Sequence, residues 1–319
     1  MARIPHPIPY QGSKRKLAPS ILSYFPRDIE TLFEPFAGSA AISIAAAREG
    51  LARYFHLNDL NAPLMNLWQM MINQPEKLIV QYERIWREQH SDPKAFYEQV
   101  RDRFNERERP QDLLFLLVRC VKGAVRYNAN GQFNQSADNR RRGISPSSLA
   151  HHIRGVAKLF GGKTVCSSVD YKQVCNLAKP VDLIYMDPPY QGLNRGRDSR
   201  YFAGVTFEDF AGVLKDLNEN EVSFIISYDG RTGDREHGMR LPSDLNLHHM
   251  ELDAGRSTQA TFHGRDLKTF ESLYLSSALL ARLRRELANG NGLRQTEFLE
   301  LEASPQAVRR ASGAVQKRH

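Results

Sequence analysis

The sequence predicts an α/β fold, one sheet interrupted by a mostly helical insertion, and three observations predict it. Residues 30–61 read as strand, Gly-containing turn, Ala-rich helix and second strand, a β-α-β unit. From residue 62 to about 126 the pattern turns helical, with Leu78, Ile79, Tyr82, Ile85 and Trp86 at helix spacing. Short apolar runs then resume at 164–168, 182–186, 222–228 and 271–276, which complete the sheet.

Taken in order, the first unit comprises a strand at 30–36, a turn at 37–39, a helix at 40–50 and a strand at 54–58. In the helical block Asp92-Pro93 reads as N-cap and first turn, since proline fits where the amide has no intrahelical acceptor. A Gly-, Asn- and Arg-rich stretch at 127–143 closes that block. The tail from about residue 281 carries Arg282, Arg284 and Arg285, then Asn289-Gly290-Asn291-Gly292, and is expected to be a fraying helix followed by a disordered basic end.

Of the 319 residues, 41% are hydrophobic and 25% charged, the make-up of a globular chain with a sizeable core. No apolar run approaches the roughly 18 residues that span a bilayer, and residues 1–9 lack the apolar core of a secretory signal. A cytoplasmic location without a membrane partner is therefore expected. Cys120, Cys166 and Cys175 form neither an even set nor CxxC pairs and read as buried thiols. The pairs His151-His152 and His248-His249 have no accompanying acids, so no metal is expected. Between Arg119 and Lys158 stand eight basic residues and one acid, Asp138, the electrostatic footprint of a polyanion site or of a plain solvated face.

Chemistry concentrates in three strings. In Phe33-Glu34-Pro35-Phe36-Ala37-Gly38-Ser39-Ala40, an apolar strand runs into a turn with Gly38 at its apex, where a ligand can approach the backbone. Alone this equally describes any tight strand-to-helix turn. The second strand, however, ends in Asp59, placed to accept hydrogen bonds from the ribose hydroxyls of an adenosine-bearing cofactor. The third string, Asp187-Pro188-Pro189-Tyr190, directly follows the apolar run 181–186 and by chance should occur in only about a few chains per thousand of this length. An adenine N6 is a weak nucleophile because its lone pair is delocalised into the ring. Two acceptors on its amino hydrogens localise that pair, and Asp187 and the Pro188 carbonyl supply two. Pro188 and Pro189 fix the backbone and bring no amide donor, while Tyr190 offers a ring for an extruded base.

With these strings in this order the chain resembles the Dam-type DNA adenine-N6 methyltransferases of the D12 class, over about residues 7–277. The resemblance implies a Rossmann-like, S-adenosyl-L-methionine-dependent methyltransferase sheet with an inserted target-recognition domain. It divides the chain into a catalytic, cofactor-binding domain (1–61 and 144–280), a recognition domain (62–143) and a basic tail (281–319). It implies cofactor contacts for Tyr10, Gly12 and Lys14 of Tyr10-Gln11-Gly12-Ser13-Lys14, for Phe36, Gly38 and Ser39, for Asp59, for Asp170-Tyr171 and for Asp187. Asp187, Pro188, Pro189 and Tyr190 match the catalytic motif. Arg126, Tyr127, Asn128, Asn130 and Asn134 resemble the family's DNA-entering hairpin, with Arg126, Asn128 and Asn130 suited to base edges. Arg140, Arg141 and Arg142 are expected on phosphates. Double-stranded DNA is the implied partner, joined by a cognate restriction endonuclease if the enzyme serves restriction–modification rather than acting as an orphan. Ala40 replaces a glycine frequent in relatives, and Gln135-Ser136-Ala137-Asp138 and Pro9 also depart from Dam, so its GATC target does not carry over. A cytosine-N4 or RNA-base methyltransferase asks for the same acceptors, and a non-enzymatic DNA-binding module would need none of Lys14, Asp59 and Asp187.

Overall fold

A computed structural model describes residues 4–89, 92–189, 205–233, 235–236, 240–256 and 268–289. Among the described residues eight strands form one sheet: β1 (Ile29–Glu34), β2 (Ala52–Asn58), β3 (Thr164–Ser167), β4 (Leu183–Met186), β5 (Ser223–Thr232), β6 (Arg235–Glu236), β7 (His248–Arg256) and β8 (Lys268–Leu275). Their order is β3-β2-β1-β4-β5-β8-β7, with the short β6 paired to β5. The first five of that order are mutually parallel, whereas β8 runs antiparallel to both β5 and β7. Central β4 is buried throughout, Leu-Ile-Tyr-Met, as a parallel strand covered on both faces must be. Strand order reverses between β1 and β4, and a crevice opens there beyond the strands' carboxyl ends.

A short helix α1 (Ala18–Leu22) packs on α2 (Ala41–Glu49), the crossover helix between β1 and β2. Then come α3 (Ala62–Asn73), α4 (Pro75–Glu88), α5 (Pro93–Arg107), α6 (Pro110–Arg119) and α7 (Pro146–Phe160), each with a proline in its first turn. Asp92 caps α5 by accepting from the amides of Lys94 and Ala95. Helix α3 belongs to the sheet's covering layer as much as to the helical block. It packs on β3, α6 and α7, and Trp68 sits edge-on to Phe160. Leu32 and Phe55 of the sheet share one continuous apolar core with Leu67, Tyr82 and Phe115 of the helices. Further helices among the described residues are α8 (Tyr171–Cys175), α9 (Phe207–Glu219) and α10 (Ser277–Ala288).

Helix α10 corrects the expectation of a fraying end from residue 281. Leu279, Arg282 and Leu283 are buried on it. The Arg282 guanidinium donates to the Asp28 carboxylate at 2.7 Å and to the carbonyls of Val181 and Asp182 at 3.0 Å. A charge-rich sequence thus becomes a pinned helix because its arginine meets backbone acceptors at the amino ends of β1 and β4. Residues 290–319 lie outside the described residues. Among those described, no helix is long and apolar enough to cross a membrane, and Cys120, Cys166 and Cys175 are free thiols.

Candidate active site

Three strand ends converge on the crevice. After β1 the chain turns through Pro35-Phe36-Ala37-Gly38, with Gly38 at φ +46° and Ala40 at φ +47°. The left-handed region disfavours a residue bearing a Cβ by about 1–2 kcal/mol, so Ala40 is strained. After β2, Asp59 accepts the Gly38 amide on Oδ2 and the Asn61 amide on Oδ1, both at 3.0 Å. The Trp68 indole donates to the Gly38 carbonyl at 3.0 Å, so both polar groups of this glycine are held. Burial raises the Asp59 pKa, and the two amides oppose the rise.

After β4 stands Asp187, and here the N-terminal segment enters the site. Lys14, on a single 3-10 turn and buried, places Nζ 2.9 Å from Asp187 Oδ1 and 2.8 Å from Glu271 Oε1. Burial by itself lowers the lysine's pKa, but the two carboxylates outweigh it and hold the ammonium charged. Asp187 is pushed up to about 6, by burial first, with Lys14 opposing and Glu271 reinforcing the shift. Beneath it Glu34 accepts from both the amide and the hydroxyl of Ser43, and burial pushes this carboxyl up to about 8.

The crevice walls are aromatic and small. The Tyr10 ring lies against Gly38, where a Cβ would meet Tyr10 Cε1 at 3.1 Å. Opposite, Phe36 and Tyr171 pack with ring centroids 5.2 Å apart. Asp170 caps α8 through the Lys172 amide, and Ser39 Oγ donates to Ser13 Oγ at 2.9 Å. Tyr10, Gly12, Lys14, Phe36, Gly38, Ser39, Asp59, Asp170, Tyr171, Asp187, Pro188 and Pro189 thus all line one cleft. Tyr190 lies outside the described residues.

The 126–142 segment forms a hairpin, with Tyr127 bridged antiparallel to Phe133 and Asn134 N donating to the Arg126 carbonyl at 3.0 Å. Arg126, Asn130 and Asn134 are exposed on it. Several of the residues expected to touch DNA also bond within the chain. Tyr127 is buried in the cleft wall, and its hydroxyl donates to Asn61 Oδ1 at 3.2 Å. The Asn128 side chain accepts the Asn130 and Gln132 amides and donates to Gln132 Oε1, which commits it to closing the turn. Arg140 and Arg141 are exposed, yet both bind the buried Asp138, whose carboxyl their hydrogen bonds hold far below the usual range. Asp138 thus offsets one of the three positive charges of the Arg140–Arg142 triplet.

A family model described as D12 class N6 adenine-specific DNA methyltransferase matches residues 10–280. The chain belongs to this family. This methyltransferase is 24% identical over 274 residues to the type II methyltransferase M1.LlaDCHI of Lactococcus lactis subsp. cremoris, covering 80% of this chain and 90% of that one. It is 26% identical over 267 residues to the DNA adenine methylase of Vibrio cholerae serotype O1, covering 81% and 91%. Among solved structures, the putative methyltransferase yhhF of Escherichia coli aligns with a TM-score of 0.35 at 12% identity, over 84% of this chain and 90% of that one.

Several residues that line or support this methyltransferase's cleft escaped the sequence reading. Glu271 was read only as the start of a strand, and nothing local marks it as a partner of Lys14, 257 positions away. Glu34 lay within a motif read for its glycine, and Trp68 was assigned to packing, although its indole also holds the Gly38 carbonyl. An acid inside an apolar strand was the available signal for Glu34, because an isolated buried carboxyl demands a partner.

Proposed function

We propose that this adenine-specific methyltransferase takes its methyl group from S-adenosyl-L-methionine and transfers it to an adenine turned out of duplex DNA into the cleft. The observation that carries the reading is the convergence of Asp59, the Gly38 turn and the Lys14–Asp187 pair at the adjacent ends of β2, β1 and β4. The donor set fits such a cofactor. Asp59 keeps lone pairs beyond its two amide bonds for the ribose hydroxyls, and Phe36 with Tyr171 offers an aromatic wall for a purine. Tyr10, Gly12 and Ser39 shape the turn's other side, and Asp170 stands at the mouth. The cofactor supplies an activated methyl group.

The chain supplies placement and acceptors. Asp187 and the Pro188 carbonyl accept the two amino hydrogens of the target, which localises the nitrogen lone pair in the direction of attack. Lys14 fixes one Asp187 oxygen and leaves the other to the amine. Positioning in a cleft that the bound cofactor and base close to water then contributes most of the rate. The exposed Arg126, Asn130 and Arg142 are the residues of the 126–142 segment best placed to meet DNA. A cytoplasmic location and a restriction–modification setting with a cognate endonuclease complete the proposal, the latter supported by the type II naming of the Lactococcus relative. Incubating duplex DNA with enzyme and S-adenosyl-L-methionine, digesting it and weighing the nucleosides tests the reading. N6-methyladenosine of the deoxy series is expected. Methylated cytosine, or no methylated nucleoside, would overturn it.

A further inference from the structure

The Lys14 ammonium is shared between two carboxylates that come from opposite halves of the sheet. Asp187 follows β4 in the parallel half, and Glu271 sits on β8 in the antiparallel half. Glu271 is brought there by an irregularity. The β5–β8 register shifts between Tyr228 and Arg231, and Gly230 in that gap is so close to β8 that a Cβ would lie 1.9 Å from the Phe270 carbonyl oxygen. Only glycine admits this approach. A lysine needs one acid for neutrality, and here it has two, one in the cleft wall and one behind it, with side-chain exposures of 7% for Lys14, 22% for Asp187 and 13% for Glu271.

We propose that Glu271 is a positioning residue acting through Lys14, and that its carboxylate makes the surroundings of Lys14 and Asp187 more negative by one charge. That charge does two things, and the second rests on the proposed use of S-adenosyl-L-methionine. It keeps Asp187 a strong acceptor for the target amine. It also favours a sulfonium cofactor over the demethylated product, because the two differ by one positive charge. Among the described residues, the titratable groups facing Asp187 are Lys14 from the N-terminal turn, Glu271 from β8, Tyr185 from β4 and Glu34 from β1, which in turn faces Asp59 after β2. Glu271 pushes the Asp187 pKa upward, in keeping with this role.

Glu271→Gln is the test, because glutamine keeps an oxygen for Lys14 and removes only the charge. Binding of S-adenosyl-L-methionine and of S-adenosyl-homocysteine is measured by calorimetry, and the acid limb of single-turnover methylation is recorded across pH. The variant is expected to lose about threefold or more of the preference for the sulfonium form and to move its acid limb down by about one pH unit, as removing a charge within a few ångströms in a partly buried site requires. Glu271→Asp restores the charge and is expected to restore both properties. A folded Gln variant with wild-type preference and acid limb overturns the proposal. Should the Gln variant not fold, loss of either property in Glu271→Asp overturns it instead. A wild-type enzyme that binds neither compound overturns the proposed cofactor itself, an outcome visible before any variant is compared.

Discussion

Replacing Asp59 by alanine should injure this methyltransferase twice, by separable amounts. In the folded chain its carboxylate holds the Gly38 and Asn61 amides, each at 3.0 Å. Removing it leaves two backbone donors without their acceptor at about 1–3 kcal/mol each, and the lower figure applies because the cleft admits water. A loss of about 2–3 kcal/mol in urea unfolding follows. Cofactor affinity should fall separately, because hydrogen bonds to a charged acceptor contribute about 1.5–3 kcal/mol, equivalent to about 10- to 100-fold in Kd. Calorimetry with S-adenosyl-L-methionine, at a temperature where circular dichroism shows the variant folded, reads the second effect apart from the first. Asp59→Asn, which keeps one acceptor oxygen, should fall between wild type and alanine in stability. An unchanged Kd would remove Asp59 from the cofactor site, and an unchanged unfolding midpoint would refute its hold on the turn.

Asp187→Asn should abolish methylation while duplex binding persists. In wild type the single-turnover rate should drop as pH falls through about 6, where Asp187 takes up a proton, so a rate flat from pH 7 to about 5 would contradict its role. Glu34 holds its proton up to about 8, whereas an unfolded glutamate releases it near 4.5. Between those values the unfolded state binds fewer protons, so this group makes stability decline as pH rises, by an order of a few kcal/mol. Glu34→Gln should flatten that decline in urea titrations at about pH 5 and about pH 8.5. Equal slopes in the two proteins would show that Glu34 is ionised. On DNA, Arg126→Ala should lower the salt slope by about 1, and Arg141→Ala by less, since Asp138 already holds Arg141. A larger slope change at Arg141 would refute that pairing in the complex.

How much of this was legible in the sequence depended on how local each signal is. The β1–α2–β2 unit was readable because strand, glycine turn and Ala-rich helix follow one another within about thirty residues. The block that holds α3 to α6 was readable from apolar residues at helix spacing, and the start of α5 from Asp92-Pro93, whereas α7 went unread. Strand β7 went unread, since His248–Arg256 mixes charged residues with a Gly255 bulge at the sheet's edge, where one face meets water and the apolar alternation is diluted. The sequence by itself determined which residues face the cleft from β1, β2 and β4, because each ends a strand and strand ends are fixed by local pattern. Tertiary structure alone decided that Glu271 joins Lys14 and Asp187, that Tyr127 turns inward to Asn61, and that Asp138 claims Arg140 and Arg141. The reason is physical: a side chain's charge and shape are written locally, but its partner is whichever group the fold brings within about 3 Å once water is excluded, and that distance is set by the whole sheet.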